Sequence, residues 1–255
     1  MDLFVNERRE IILRILNEQR SVTVSQLTER FGVSIETIRR DLDYLEKQQK
    51  LQRVHGGAIT PNKKYTFDVI EKRMQEHLDE KKQLSDKAVE YIENGDMLFV
   101  DSGSTAFAFA LSLKNSGKRV KVATYSSDVF QILSGCPNVQ LILSGGLYLP
   151  AEKAFYGSLA CECMKKMYAD KTFLFPSAIS LKYGAGDFIY ELIDLQKIIA
   201  EQTNNLFILA DSSKFEATAN LQITDNLSTC TLITDEGLPD SLYDLYTYNN
   251  IKIIK

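Results

Sequence analysis

The sequence is poor in the residues that most often bind metals or form covalent cross-links. Two histidines and four cysteines are scattered along its 255 residues. Cys161 and Cys163 are one residue apart, a spacing that does not suit most zinc knuckles, and both histidines lie far from them in sequence. The sequence therefore predicts no metal site, no disulfide framework and no cofactor, and it is typical of a reducing compartment.

Long apolar runs are missing too. No stretch approaches the roughly 20 apolar residues that cross a bilayer. The first residues, MDLFVNERREIILRIL, are charged too early and too often for a secretory signal. We therefore expect a cytoplasmic protein with no membrane partner. The apolar fraction of 44% is enough for a sizeable core, and a chain of this length favours about two domains.

The net charge of −4 gives no general indication of nucleic acid binding, but the charge is unevenly distributed. Residues 1–60 contain ten Lys and Arg against nine Asp and Glu, which leaves twenty against twenty-five in the remainder. A nearly neutral amino-terminal part therefore precedes a more acidic body. Whether this part binds nucleic acid must therefore be judged from the positions of its basic residues.

Residues 1–59 show three helical patterns in succession. Apolar spacing predicts a first helix from about residue 6 to residue 19. Ser25 is expected to cap a short second helix that Gly32 ends, and Ser34 is expected to cap a third. A short helix, a tight turn with glycine and a longer helix with a polar outer face form a helix-turn-helix pattern.

The third helix carries the candidate DNA contacts. Its predicted buried face consists of Ile35, Ile38, Leu42 and Leu45. Arg40 lies nearly opposite this face and Arg39 lies on its flank. Two adjacent arginines can belong to an ordinary solvated helix face. On the second helix of a helix-turn-helix, they indicate contact with a DNA duplex. The predicted contacts on the helix are Ser34, Glu36, Thr37, Arg39, Arg40 and Tyr44.

Downstream of this helix, the sequence KLQRVHGGA predicts a small β-hairpin wing with Gly56 and Gly57 at its turn. Arg53 and His55 are expected near the tip of the wing. Both residues are therefore added to the predicted DNA contacts, because a basic hairpin beside a recognition helix can reach the phosphates.

The stretch VSIETIRRDLDYLEKQQKLQRVHGGA closely resembles the signature of the DeoR family of bacterial transcriptional regulators. The winged helix-turn-helix of that family carries a TIRRDL core, which residues 37–42 match throughout. We therefore expect a DNA-binding domain at residues 1–59. Residues 60–80 are charged and polar, with Pro61 near their start, which predicts a linker before an effector-binding domain at residues 81–255.

Residues 81–255 alternate short apolar runs with helical patterns. The runs are DMLFV, RVKVAT, VQLILS, KTFLF, NLFILA, CTLIT and IKIIK. This alternation predicts an α/β fold with a mostly parallel sheet covered on both faces. Ligands of open α/β sheets bind outside the carboxyl ends of the strands, so the residues that follow each strand carry the binding prediction.

Small polar loops follow four of these runs, and one of them contains a lysine. A single loop of this kind is ordinary turn chemistry, but four at one edge of a sheet favour an anion site. No Walker-type or G-x-G-x-x-G loop occurs, so a nucleotide is not favoured. The candidate residues in these loops are Asp101, Ser102, Gly103, Ser104, Thr105, Thr124, Tyr125, Ser126, Gly145, Gly146, Asp211 and Lys214.

The resemblance to the DeoR family extends to this domain. Its effector domains resemble ribose-5-phosphate isomerase and bind phosphorylated sugars or their metabolites. The family patterns D-x-G-[ST]-T and D-x-[ST]-K-F are met by residues 101–105 and 211–215. Tyr125 stands where the family usually has asparagine. Either Glu191 or Asp194 stands for a family carboxylate. Glu191 is added to the candidate effector contacts. These departures leave the identity of the sugar open.

Three functions follow from these patterns. The first is a transcriptional regulator, a homodimer or homotetramer, that represses a carbohydrate operon under the control of a phosphorylated sugar. The second is a sugar-phosphate isomerase or deaminase with Asp101, Asp187 or Glu191 as general base and Lys214 polarising an oxygen. The third is a DNA-binding module whose large domain only oligomerises. The amino-terminal domain argues against the second function and the polar loops argue against the third, so we expect a non-enzymatic regulator.

Overall fold

A computed structural model of the chain describes residues 5–19, 21–48, 50–54, 56–59 and 70–255. The chain divides into two compact units, residues 1–67 and 68–255. The domain limits at residues 59 and 81 stay a prediction, because residues 60–69 of the expected linker lie outside the described residues. None of the helices in the described ranges is long and apolar enough to cross a membrane.

The described part of the first unit contains three helices and a three-stranded antiparallel sheet. The helices are α1 (Val5–Gln19), α2 (Val24–Phe31) and α3 (Ile35–Lys47). The strands are β1 (Ser21–Thr23), β2 (Gln52–Val54) and β3 (Gly57–Ile59), with β3 between the other two. This arrangement is the winged helix-turn-helix that the sequence predicts.

The turn between α2 and α3 forms as predicted. Gly32 ends α2 in the left-handed conformation, with a φ of 63° that favours glycine. The hydroxyl of Ser34 accepts a hydrogen bond from the backbone N–H of Thr37 at 3.2 Å and so caps α3.

The predicted cap of α2 is wrong. The helix begins at Val24, so Ser25 lies inside its first turn, and Thr23 is the cap. The Thr23 hydroxyl accepts from the backbone N–H of Gln26, whose side chain accepts from the backbone N–H of Thr23 at 2.9 Å. This reciprocal pair gives hydrogen-bond partners to the backbone N–H groups of Thr23 and Gln26 at the start of the helix.

The buried face of α3 is narrower than predicted. Ile38, Leu42 and Leu45 are buried, but Ile35 is 54% exposed. Ile35 is the first residue of the helix and lies almost one turn ahead of Ile38, where the core of the unit no longer covers it. Its predicted burial is therefore wrong.

A buried ion pair fastens α3 to α1. The buried carboxylate of Asp41 accepts from Nε of Arg8 at 2.6 Å and from Nε of Arg9 at 2.8 Å. The Arg9 guanidinium also lies 3.7 Å from the centre of the Tyr44 ring. Because Asp41 directly follows Arg40 in the chain, the contact that anchors α3 also fixes the direction of its outer face.

The second unit is larger and contains a central sheet, a hairpin and a small second sheet. Its described helices are α4 (Ile70–Arg73), α5 (Leu78–Glu90), α6 (Ser104–Ser116), α7 (Ser127–Leu133), α8 (Ser158–Lys165), α9 (Ile193–Glu201) and α10 (Asp240–Tyr248). The central strands are β4 (Met97–Val100), β5 (Val120–Thr124), β6 (Val139–Leu143), β9 (Lys171–Leu174), β12 (Leu206–Leu209), β14 (Cys230–Ile233) and β15 (Lys252–Ile254). The hairpin consists of β7 (Leu147–Leu149) and β8 (Ala154–Tyr156), and the small antiparallel sheet of β10 (Ala178–Ser180), β11 (Gly184–Asp187) and β13 (Leu221–Thr224).

The central sheet confirms the predicted α/β fold. Its order is β15-β14-β12-β9-β4-β5-β6, every pairing is parallel, and its strands are the seven runs predicted from the sequence. Alternate residues of β4 pack into different cores: Leu98 and Val100 lie with α5 and α6, and Phe99 lies with α8 and α9. The chain runs outward from β4 in one direction and from β9 in the other, so the topological switch point lies between these strands.

We expect the substitution Asp41→Ala to lower the free energy of unfolding of the first unit by about 3–5 kcal/mol, because it leaves the buried Arg8 without its counterion. Urea unfolding of the full chain by circular dichroism, with hydrogen exchange in α1 and α3 to assign the transition, measures this effect. The matched control is Asp43→Ala, whose ion pair with Arg53 is half exposed and is worth less than about 1 kcal/mol. Equal effects of the two substitutions would contradict the anchoring role of Asp41.

Candidate functional site

The exposed side chains at the beginning of α3 form the candidate DNA interface. Arg39 and Arg40 are both exposed, and Arg39 approaches Glu36 only at 4.0 Å. The hydroxyls of Ser34 and Thr37 lie 2.9 Å apart in the first turn. The first turns of α3 therefore present hydroxyl and guanidinium groups to solvent, which are the groups that hydrogen-bond to bases and phosphates.

Two other predicted DNA contacts have partners within the domain. The guanidinium of Arg53 pairs with Asp43 of α3, so it fastens the wing to α3. One face of the Tyr44 ring is covered by Arg9. A phosphate contact by Arg53 requires its pair with Asp43 to open. His55 lies outside the described residues.

The candidate effector site lies at the switch point, and its centre is Asp101, which directly follows β4. The side chain is completely buried. Its oxygens accept from the backbone N–H groups of Ser102 at 2.7 Å and Phe175 at 3.1 Å, and from the hydroxyl of Tyr125. The side-chain amide of Gln196 donates to it at 3.4 Å. A carboxylate has about four acceptor positions, and these internal donors occupy them, so the role of Asp101 as an effector contact stays a prediction.

Burial also sets the protonation of this centre. Removal from water raises the pKa of Asp101 to about 6, although the hydrogen bonds from Tyr125, Phe175 and Ser102 act in the opposite direction. Burial and the charge of Asp101 raise the pKa of Tyr125 well above its usual value. Tyr125 therefore stays protonated and acts as the donor of this pair.

Glu191 and Asp194, the two candidates for the family carboxylate, do not take part in this buried network. Both side chains are exposed. The acid that joins the buried network is Asp187 at the end of β11, which accepts from the Gln196 amide at 2.7 Å. Gln196 on α9 thus bridges Asp187 and Asp101, and the prediction missed it because Gln196 lies inside a helix and not in a loop that follows a strand.

The loop after β4 leads into the amino terminus of α6. Gly103 has a φ of 104°, in the left-handed region that favours glycine, and no side chain caps the helix there. Ser102 and Ser104 are buried, and Thr105 is half-buried. The first N–H groups of a 13-residue helix and the positive end of its dipole therefore remain available at this edge of the sheet.

The loops after β5 and β6 contribute to the framework of this edge. The Thr124 hydroxyl accepts from the backbone N–H of Ser126 at 3.0 Å, and Ser126 caps α7. Gly146 has a φ of 114°, and a β-carbon on it would lie 2.5 Å from the Tyr156 carbonyl oxygen. Gly146 therefore allows the hairpin to pack closely, whereas Gly145, with a φ of 65°, has open space around it.

The loop after β12 brings a lysine to the same edge. The buried Asp211 accepts a hydrogen bond from the backbone N–H of Ser213 at 3.1 Å and caps the short turn that carries Lys214. Lys214 is half-buried. Within the described ranges its ammonium group forms no ion pair, so it is available to an anion.

Two further cations were not predicted, because they lie in or beside the segment taken as a linker. Lys81 of α5 is buried and donates to the backbone carbonyls of Arg73 and Glu76. Burial, together with the positive charges of Lys214 and Arg73, lowers the pKa of Lys81 to about 8, although the charge of Asp211 acts in the opposite direction. This electrostatic coupling shows that Lys81, Lys214 and Arg73 share one environment.

Comparison with known proteins identifies the family. The chain matches the family model of the DeoR-like helix-turn-helix domain over residues 8–64 and that of the DeoR C terminal sensor domain over residues 76–236. The chain belongs to the DeoR family of transcriptional regulators. Its first unit is therefore a DNA-binding domain and its second unit is a sensor domain.

Curated relatives of this DeoR-family chain match it over nearly their whole length. The HTH-type transcriptional regulator YulB of Bacillus subtilis is 33% identical over 92% of this chain and 91% of that protein. The lactose phosphotransferase system repressor of Lactococcus lactis is 33% identical over 96% of each chain. The glycerol-3-phosphate regulon repressor of Escherichia coli is 27% identical over 97% of each chain. These proteins are named as regulators, which supports the regulator prediction over the enzyme alternative.

Among solved structures, ribose 5-phosphate isomerase A from Methanocaldococcus jannaschii aligns with a TM-score of 0.40 and 16% identity. The alignment covers 68% of this chain and 65% of that chain. This similarity is too low to carry an argument about function.

The raised pKa of Asp101 predicts a pH dependence. Between its usual value of 3.8 and about 6, the unfolded chain has released the Asp101 proton while the folded chain retains it, so rising pH favours unfolding. We expect the free energy of unfolding of the parent, relative to that of Asp101→Asn, to fall by about 3 kcal/mol over this range. Above about pH 7, this difference in the free energy of unfolding should be constant. Urea titrations of both proteins across the range measure it, and a difference that does not change with pH would contradict the assignment.

Proposed function

We propose that this DeoR-family regulator represses a carbohydrate-utilisation operon and that a phosphorylated sugar or related metabolite sets its affinity for operator DNA. The observation that carries the proposal is the uncapped amino terminus of α6 at the same edge of the sheet as Lys214, whose ammonium group forms no ion pair within the described ranges. A helix amino terminus and a lysine together suit a phosphate group.

The chemistry of the surrounding loops supports the sugar part of the ligand. Thr105 is half-buried in the first turn of α6, so its hydroxyl group suits hydrogen bonding to a small polyol. The relatives whose names refer to lactose and to glycerol 3-phosphate support the same ligand class. We assign Asp101 the role of positioning the loop, and we assign the direct contacts to Gly103, Ser104, Thr105 and Lys214.

In the DNA-binding domain, we propose that Arg39 and Arg40 contact the operator together with Ser34 and Thr37. One recognition helix reads only a few base pairs, and symmetric operators bind symmetric oligomers. We therefore propose a homodimer or homotetramer, which acts in the cytoplasm, where the DNA of a bacterium lies. Sedimentation velocity of the free protein and of its DNA complex tests the stoichiometry.

We expect Arg40→Ala to weaken binding to an operator selected from a randomised duplex pool by about 1–3 kcal/mol, because one base contact is lost. A fluorescence anisotropy titration measures the affinity. The control is Lys47→Ala, which removes the same charge from the last turn of α3, away from the end that enters the groove. A loss as large in the control would mean that general charge, and not the start of α3, governs binding.

Lys214→Ala should retain the operator affinity of the parent and lose most of its response to effector. A panel of sugar phosphates, scanned by thermal shift of the parent, identifies the test ligand, since a ligand of the folded state raises apparent stability. The loss should be greater for the phosphorylated sugar than for the free sugar. Lys165→Ala, an exposed lysine on α8, serves as the control. A response equal to that of the parent would place the effector elsewhere.

A further inference from the structure

Two ion pairs fasten α4 to the turn of the β7–β8 hairpin. The guanidinium of Arg73 pairs with the carboxylate of Glu152, whose side chain is only 5% exposed. Lys153, the next residue of the turn, lies 3.6 Å from the carboxylate of Glu71. The first helix of the sensor domain is therefore held to the hairpin by alternating charges.

The same arginine reaches the predicted anion site. A β-carbon built on Gly103 would lie 3.9 Å from Nη1 of Arg73, so the guanidinium lies directly over the loop that begins α6. Arg73 thus stands between a buried carboxylate and a free helix amino terminus. A guanidinium has five N–H donors in a planar fork and binds carboxylate and phosphate groups with the same geometry.

We propose that Arg73 changes partner when the effector binds: the phosphate group at the amino terminus of α6 takes the guanidinium from Glu152. The inference rests on the proposed function and adds its regulation. α4 follows residues 60–69, which connect it in sequence to the DNA-binding domain. The release of Glu152 therefore removes one of the two ion pairs that hold α4, the helix of the sensor domain that is closest in sequence to the DNA-binding domain.

The charges at the site favour such an exchange. A phosphate monoester carries close to two negative charges at pH 7, whereas Glu152 carries one. Burial raises the pKa of Glu152, and the nearby charges of Asp187 and Asp101 raise it further. When Arg73 leaves, the buried Glu152 can take up a proton, so no unpaired charge remains behind.

A backbone contact transmits the change. The Lys81 ammonium donates to the carbonyl oxygens of Arg73 and Glu76, at the end of α4 and in the turn that follows it. A displacement of Arg73 therefore alters the contacts of the segment that joins α4 to α5. Arg73 belongs both to the predicted anion site and to the first helix of the sensor domain. The ligand therefore makes different contacts with the two states of Arg73, as an allosteric effect requires.

The test uses opposite substitutions in the pair and inorganic phosphate as the probe, with the full chain studied by isothermal titration calorimetry. Arg73→Gln should weaken phosphate binding at least about tenfold, because a charge-assisted contact is lost. Glu152→Gln should strengthen it, because the competing carboxylate is removed. A purely structural ion pair predicts the same direction for both substitutions, since either one breaks it. The control is Lys82→Gln, an exposed lysine on α5 that pairs with Asp86.

Circular dichroism and cooperative unfolding establish that each variant is folded. If Glu152→Gln does not fold, Glu152→Asp replaces it, because the shorter side chain moves the carboxylate away from Arg73. Effects in the same direction, or no effect of either substitution, overturn the partner exchange and leave the proposed function standing. If the parent binds neither phosphate nor any sugar phosphate, the proposed function fails and the exchange fails with it. In the operator titration, Glu152→Gln should also respond at a lower effector concentration than the parent.

Discussion

A carboxylate without access to water is the constraint on which the sensor end of the sheet depends. Burying an ionised group is costly unless hydrogen bonds surround it, and Asp101 meets this need with donors from separate parts of the chain. Ser102 follows β4, Tyr125 follows β5, Phe175 follows β9 and Gln196 lies on α9. The hydrogen bonds to this one carboxylate therefore fix the relative positions of these elements at the switch point.

The DNA-binding domain depends on a similar arrangement. Asp41 is buried and joins α3 to α1 through Arg8 and Arg9. In each unit an interior carboxylate holds the framework, and the candidate ligand-binding cations Arg40 and Lys214 form no ion pair with it. Arg40 in the first unit and Lys214 in the second can therefore bind an anion without any loss of interior contacts.

The sequence predicted the parts of this molecule that depend on near neighbours. Each of the seven central strands is an apolar run, Gly32 ends α2, and Ser34 caps α3. The cap of α2 was placed wrongly because Thr23 and Ser25 are both good capping residues, and only the pairing with Gln26 distinguishes them. The strands β7, β8, β10, β11 and β13 lie outside the apolar runs that alternate with helical patterns, so the sequence did not predict them.

By itself the sequence determined the fold class, the helix-turn-helix with its outward arginines, and the strand ends at which the candidate site lies, because periodicity and capping act within a few residues. Only the tertiary structure decided how the charged groups are paired. Arg73 and Glu152 are 79 residues apart in the chain, and Asp101 and Gln196 are 95 apart. No local pattern connects such residues. Burial brings them together, and it decides which carboxylates become part of the framework and which cations remain available to a ligand.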